Sequence, residues 1–225
     1  MRPSEAQYIG AILQNLPNDV VGPCLNVGSS TKYFREVEQP HVDKLIFAPL
    51  AKRGIEVTHA DLKPAEGVDI AGSIYDPSVL ERIKARSPRL VMCCNMFEHV
   101  EDRETLAAAL AAVVPADGRL VVTAPHSYPI HYDPIDSYYR PSPDELAHLF
   151  PEFELESAKV IQDSTYGEDL LRELGPVGMC AHFAKSGAKL FMFWRGKERW
   201  LAHFHRYLWL WRRYSVSCIV LRKPA

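Results

Sequence analysis

The chain has 225 residues, of which 47% are hydrophobic and 24% are charged. This composition is typical of a folded globular protein and excludes a disordered, collagen-like or coiled-coil chain, and the length excludes a large multidomain assembly. Lys and Arg total 26 against 28 Asp and Glu, so the net charge of -2 gives no global reason to expect a nucleic-acid partner.

Charge and cysteines vary along the chain. Residues 190–225 carry a net charge of +7, which leaves -9 for the first 189 residues. The five cysteines are odd in number and form no CxxC pair, which favours free thiols in a reducing compartment. The N-terminus has no long apolar segment, and no run approaches the ~18 apolar residues that span a bilayer. We therefore expect a cytoplasmic protein.

The first half of the chain alternates helical and apolar extended segments. Ser4 and Gln7 form a capping-box pattern that predicts a first helix within residues 1–19, ended by Pro17. Apolar strands are predicted over 23–28, 55–60, 68–71, 89–94 and 120–124, each ending in turn or polar residues. Helices are predicted over 41–54, from Asp76-Pro77 onward, and over 104–114.

The second half continues this pattern. Ser142 and Glu145 predict another capped helix, followed by strands over 153–161 and 216–221. Strands without a polar face, separated by helices and without Asn-Gly hairpin turns, indicate a parallel sheet covered on both faces. We predict a single α/β domain with a Rossmann-like, doubly wound, seven-stranded sheet and an antiparallel last strand. Its parts are an N-terminal helix (1–19), a core (20–162), a helical insertion (163–214) and the last strand (215–225).

In such a sheet, ligands bind beyond the carboxyl ends of the strands. A carboxylate at the end of the second strand can accept hydrogen bonds from both hydroxyls of a ribose, which is typical of nucleoside-bearing cofactors. Asp61 has this position. A simpler interpretation, a helix N-cap or turn aspartate, fits the sequence equally well.

Five segments together carry a family resemblance: CLNVGSS, HADLKP, VDIAGSIYDP, LVMCCNMFEHVED, and GRLVVTAPHSYPIHYDPIDSYYRPSPDELAHLF. In order and spacing, the chain resembles class I S-adenosylmethionine-dependent methyltransferases, and most nearly the type 11 group. The resemblance covers residues 20–162 and the closing strand. It implies S-adenosylmethionine as the cofactor, bound by Asn26, Gly28, Ser29, Asp61, Leu62, Ser73, Ile74, Asn95 and Met96.

The sequence departs from the family at the first loop. The family usually has an acidic residue where Asn26 stands, and further glycines where Ser29, Ser30 and Thr31 stand. The loss of the acid removes a partner for the cofactor's ammonium group, and added side chains narrow the approach to the backbone. Asn26 can still accept a hydrogen bond and Ser29 can donate one, so we expect a weakened site.

A hydroxyl acceptor needs a base, and neutral imidazole is suited to this role near neutral pH. We predict His126 as the general base, with His99 and His131 as the other candidates, and Tyr128, Tyr139 and Arg140 as substrate-binding residues. Backbone or loop roles for the histidines, and an ion pair for Arg140, stay open. No metal site is predicted, because His126, His131, Asp133 and Asp136 lack a recognised ligand spacing.

A basic aromatic segment, residues 190–214, contains all four tryptophans. A helix over 197–213 would place Trp200, Phe204, Tyr207, Leu208 and Trp211 on one stripe. That stripe could cover the protein's own pocket, a second subunit in a homodimer or an anionic membrane surface. We expect O-methylation of a hydroxylated metabolite or saccharide. The alternative is a non-catalytic module that docks a partner or a membrane through this segment.

Overall fold

The computed structural model describes residues 1–131, 135–189 and 196–225. The strands are β1 (Cys24–Val27), β2 (Val57–Asp61), β3 (Ile70–Ala71), β4 (Leu90–Cys94), β5 (Arg119–Ser127), β6 (Glu154–Thr165) and β7 (Arg213–Arg222). The α-helices are α1 (Pro3–Asn15), α2 (Asn18–Val21), α3 (Pro40–Val42), α4 (Ala48–Lys52), α5 (Pro77–Lys84), α6 (Arg103–Val113), α7 (Pro143–Ala147), α8 (Tyr166–Lys189) and α9 (Lys197–His205). Helix α8 is broken at Gly175, which precedes Pro176.

Within these residues the seven strands form one sheet in the order β3-β2-β1-β4-β5-β7-β6. The strands are parallel except β7, which pairs antiparallel with both β5 and β6. Helices α8 and α9 lie between β6 and β7 in the chain. The predicted α/β class, the seven strands and the antiparallel last strand are therefore confirmed.

Alternation along the central strands separates two apolar layers. In β4, Val91 and Cys93 pack with α5, α6 and α7, whereas Leu90 and Met92 pack with α1 and the helical segment 40–52. All four side chains are buried. A strand that is covered on both faces needs apolar residues at every position, which explains the continuous apolar run.

The start of α1 differs from the prediction. Pro3 occupies the first helical position, so Arg2 is the N-cap, and the carboxylate of Glu5 accepts a hydrogen bond from the Arg2 backbone N–H at 3.1 Å. Ser4 instead donates from its backbone N–H and its hydroxyl to Asp163 at the end of β6, at 2.9 and 2.6 Å. The predicted capping box with Gln7 was wrong, and these bonds fix α1 against the sheet.

The segment 197–213, considered above as a single helix, is not one helix in the structure. Helix α9 ends at His205, a 3₁₀ turn covers Arg206–Trp209, and Arg213 already belongs to β7. The shift turns Trp209 inward, where it is 1% exposed and donates to the Ser127 hydroxyl at 3.0 Å, and it leaves Trp211 88% exposed. None of the helices in the described ranges combines the length and apolar character that crossing a bilayer requires.

Candidate active site

A cleft of about 1020 Å³ opens at the carboxyl ends of β1, β2, β4 and β5. The nine residues predicted to bind a cofactor all line it: Asn26, Gly28, Ser29, Asp61, Leu62, Ser73, Ile74, Asn95 and Met96. Tyr128, His99 and His131 line the same cleft. The topology therefore gathers into one cavity residues that are up to about a hundred positions apart in sequence.

The loop after β1 keeps a tight turn although it contains few glycines. Gly28 and Ser30 both have a left-handed backbone, with φ of +70° and +54°. The backbone N–H groups of Gly28 and Ser29 donate to the Ala60 carbonyl, which holds this turn against β2. Serine adopts this conformation at a cost that glycine avoids, so other contacts must stabilise the loop.

Arg35 supplies those contacts, and the sequence reasoning missed it. The buried guanidinium donates to the carbonyls of Ser29, Ser30 and Gly67 at 2.9, 2.7 and 2.8 Å. Burial lowers the pKa of Arg35 from its ordinary value, and nearby acids partly offset this effect. An arginine six residues after a strand-ending turn is the sequence signal, but that spacing alone does not distinguish it from a surface arginine.

Asp61 joins the ends of β1 and β2. Its Oδ2 accepts from the Ser30 backbone N–H at 2.8 Å, and its Oδ1 accepts from the Lys63 N–H at 3.3 Å. The side chain is only partly buried and borders the cleft. A carboxylate has about four acceptor positions, so capacity remains for hydroxyl donors. Asp61 can therefore be a turn aspartate and a ribose-binding residue at once, because the turn contacts orient the carboxylate and leave some of its acceptor positions free.

Asn26, where the resemblance implies an acid, is neutral and has a polar partner. Asn26 Nδ2 lies 3.2 Å from His59 Nδ1. Burial, with the nearby positive charge of Arg35, lowers the pKa of His59 to about 4, so its imidazole is neutral near pH 7 and can accept the amide proton. The floor of the cleft at β1 therefore carries no formal charge.

A carboxylate enters the cleft from α1 instead. Glu5 is 1% exposed, and its Oε1 accepts from Asn95 Nδ2 at 2.8 Å and from the Thr123 hydroxyl at 2.6 Å. This contact could not be expected from the sequence, because an acidic residue in the first turn of a helix usually faces solvent near the helix N-terminus. Glu5 links α1 to the ends of β4 and β5.

Three side chains form what we call the Glu98 cluster: Glu98, His99 and His131. Glu98 Oε1 lies 3.7 Å from His99 Nε2 and 4.0 Å from His131 Nε2. Glu98 is fully buried, and neither of its carboxylate oxygens has a hydrogen-bond partner among the described residues. Burial raises the pKa of Glu98 to about 7. All three side chains border the cleft, so an acceptor that enters it meets this cluster.

Three predicted residues lie outside the cleft. His126 Nδ1 lies 3.0 Å from the Pro141 carbonyl oxygen, on the other side of β5. Tyr139 stacks under Arg103, with the guanidinium carbon 4.3 Å from the ring centre. Arg140 forms a buried ion pair with Asp136, with N–O distances of 2.7 and 3.1 Å. Each of these residues is therefore engaged by a neighbouring group outside the cleft.

One further sequence candidate, Asp133, lies in residues 132–134, outside the described ranges. Asp136 is described, and its side chain is fully buried. Hydrogen bonds from His131 and Arg140 hold its pKa well below the usual range despite the opposing effect of burial. Asp136 is therefore an ionised anchor that fixes His131 beside Glu98.

Comparisons with known proteins give fold matches only. No protein-family model and no curated protein matches the chain. A solved structure of a candidate sarcosine dimethylglycine methyltransferase from Galdieria sulphuraria matches with a TM-score of 0.54 at 14% identity, covering 98% of this chain and 84% of that one. The MccD protein matches with a TM-score of 0.51 at 12% identity, covering 99% and 100%. The chain has the class I methyltransferase fold.

Proposed function

We propose that this protein is an S-adenosylmethionine-dependent methyltransferase that acts on a small molecule. The observation that carries the proposal is the cleft: in a class I methyltransferase fold, Asp61 stands at the end of β2, beside a left-handed turn after β1. This arrangement suits a nucleoside whose ribose hydroxyls donate to the carboxylate.

The residues present fit the cofactor. Asp61 would accept from the ribose, Leu62, Ser73 and Ile74 would border the adenine, and Gly28 leaves its approach to the ligand free of a side chain. Asn26 and Ser29 would face the methionine portion, and Asn95 and Met96 would lie near the sulfonium. When bound, S-adenosylmethionine supplies an electrophilic methyl group.

The acceptor would occupy the remaining part of the cleft, between Tyr128 and the Glu98 cluster. A hydroxyl acceptor must lose its proton, and His99 and His131, two of the three predicted histidines, face this region. We therefore place acceptor deprotonation at the Glu98 cluster and not at His126. O-methylation of a hydroxylated metabolite or saccharide is the reaction that this polar wall supports best.

The insertion over 163–214 supports the view of one domain with a capped pocket. Asp169, Arg172 and Glu173 from α8 border the cleft, opposite residues supplied by the strand ends. We propose that the insertion limits the size of the acceptor and contributes charges to its recognition. All five cysteines are free thiols, which suits the cytoplasm as the proposed location.

A surface role is a second candidate function, because apolar side chains are exposed beside basic ones. Leu201, Leu208 and Trp211 are exposed, and Arg206 and Arg212 are exposed nearby in sequence. This surface suits an anionic membrane or a second subunit. Co-sedimentation with anionic vesicles at low salt, reduced in Trp211→Ser, would support membrane contact, and a concentration-dependent dimer would support self-association.

Calorimetric titration with S-adenosylmethionine and S-adenosylhomocysteine tests the main proposal. We expect micromolar binding to the wild-type protein. Asp61→Asn should weaken it by about 10- to 100-fold, because hydrogen bonds to a charged group contribute about 1.5–3 kcal/mol. The asparagine oxygen can still accept from Ser30, so the loop is preserved.

Asp19→Asn, at an exposed aspartate of α2, is the matched control and should bind like the wild-type protein. Absence of binding to the wild-type protein, or equal binding to Asp61→Asn, would contradict the proposal and favour the non-catalytic module.

A further inference from the structure

We propose that the Glu98 cluster binds a divalent transition-metal ion such as Zn²⁺, with Glu98, His99 and His131 as ligands. One ligand atom from each side chain can be chosen so that all three lie within 4.8 Å of one another. Two imidazoles and one carboxylate form a recurrent catalytic ligand set for such ions. Tetrahedral zinc would need its ligand atoms to lie about 3.3 Å from one another. Side-chain rotations that move each ligand atom by less than about 1 Å would complete the site.

The hydrogen bonds to the histidines leave the correct atoms free. His99 Nδ1 contacts the Ile135 carbonyl oxygen, so this nitrogen carries the proton. His131 Nδ1 lies 3.2 Å from the buried Asp136 carboxylate and 3.3 Å from the Pro129 carbonyl oxygen, so it too is the donor. In both rings the lone pair is therefore on Nε2, which faces Glu98. Such outer partners are typical of metal-bound histidines.

The carboxylate itself favours a cation as its partner. Glu98 is fully buried and both of its oxygens are without a hydrogen-bond partner among the described residues. A buried carboxylate without a partner is costly, whereas metal coordination satisfies it. The Arg140 guanidinium does not fill this need, because it donates to Asp136 and to three backbone carbonyls. The Glu98 backbone carbonyl accepts two hydrogen bonds from Ser137, which join the turn that carries Glu98 and His99 to the loop that contains Ser137.

The remaining coordination positions would face the cleft. If the proposed methyl transfer is correct, an acceptor oxygen could bind the ion there. A bound ion lowers the pKa of a coordinated hydroxyl, so the proton would leave to solvent water and the oxygen would stay as a stabilised anion. This role rests on the proposed function, whereas the binding of the metal does not. The ion would replace the histidine base that the sequence analysis predicted.

The test is metal binding by the full-length chain after treatment with a chelator, measured by calorimetry with Zn²⁺ and by Co²⁺ absorption spectra. We expect one ion per chain with micromolar or tighter affinity. Glu98→Gln and His131→Ala should each weaken binding by at least about 10-fold. His126→Ala removes an imidazole that lies outside the cluster and should leave the affinity unchanged.

Three outcomes would overturn the inference: no binding of either ion, equal affinity in Glu98→Gln, or an equal loss in His126→Ala. Melting temperatures show whether each variant is folded. If His131→Ala does not fold, Glu98→Gln alone tests the site, because glutamine has nearly the same shape as glutamate. Titration of the metal-free protein with S-adenosylhomocysteine separates the two proposals. Nucleoside binding without metal binding removes only this inference, and metal binding without nucleoside binding removes only the proposed function.

Discussion

Glu5 offers a quantitative test of how α1 is held over the strand ends. In Glu5→Ala, the buried Thr123 hydroxyl and the partly buried Asn95 amide both lose their acceptor. Each buried donor left without a partner costs about 1–3 kcal/mol, so we expect a loss of about 3 kcal/mol in the free energy of unfolding. Glu5→Gln keeps an oxygen for both donors and loses only the bond from the Arg2 N–H, which predicts a loss of about 1 kcal/mol.

Urea denaturation followed by tryptophan fluorescence measures these differences. Glu104→Ala is the control, because Glu104 also lies in the first turn of a helix but is exposed, and it should change stability by less than about 0.5 kcal/mol. The reasoning is refuted if Glu5→Ala is no more destabilising than Glu104→Ala, or if Glu5→Gln costs as much as Glu5→Ala.

Three further predictions concern stability. The pKa of His59 is lowered in the fold to about 4, so the unfolded chain takes up a proton first as the pH falls, and the free energy of unfolding should decrease by up to about 3 kcal/mol from pH 6.5 to 4. Urea denaturation of His59→Gln should show a smaller decrease over the same pH range. An equal decrease in the variant would contradict this cause. Because Trp209 is buried and Trp211 is exposed, Trp209→Phe should lower the free energy of unfolding by about 2–3 kcal/mol and Trp211→Phe by less than about 0.5 kcal/mol. Equal urea midpoints for the two variants would contradict this. Gly10→Ala should lower the melting temperature, because a Cβ would overlap the Leu45 carbonyl oxygen, and a raised value would show that helix propensity dominates.

The sheet could be predicted because its central strands are covered on both faces. A run such as that around Val91 is apolar at every position, and a polar or glycine turn marks each strand end. Asp61 could be predicted for the same reason, since its place follows from where β2 stops. Position along a strand is local information that the sequence carries directly.

Which candidate histidines face the cleft could not be predicted in this way. Strand β5 was expected to end at Ala124 but continues to Ser127, with an irregularity in register between Pro125 and Ser127. Pro125 borders the cleft, so the alternation of side chains turns His126 to the opposite face. His131 reaches the cleft because Asp136 holds its ring, a contact within a loop that no periodicity reveals.

The contacts of α1 and of the basic aromatic segment could not be predicted from the sequence for a related reason. Glu5 reaches Thr123 across 118 positions, and which turn of α1 meets the sheet depends on the packing of the whole layer. In the basic aromatic segment, Trp209 and Trp211 have equal apolar character, and only the end of α9 at His205 decides which of them is buried. Long-range packing sets both outcomes.

The most direct test of the central claim is a crystal structure of the protein with S-adenosylhomocysteine. We predict the ribose hydroxyls within hydrogen-bonding distance of the Asp61 carboxylate and the sulfur on the side of the cleft that holds Glu98, His99 and His131. A cleft without nucleoside in crystals grown at saturating ligand, or a nucleoside bound away from Asp61, would contradict the account.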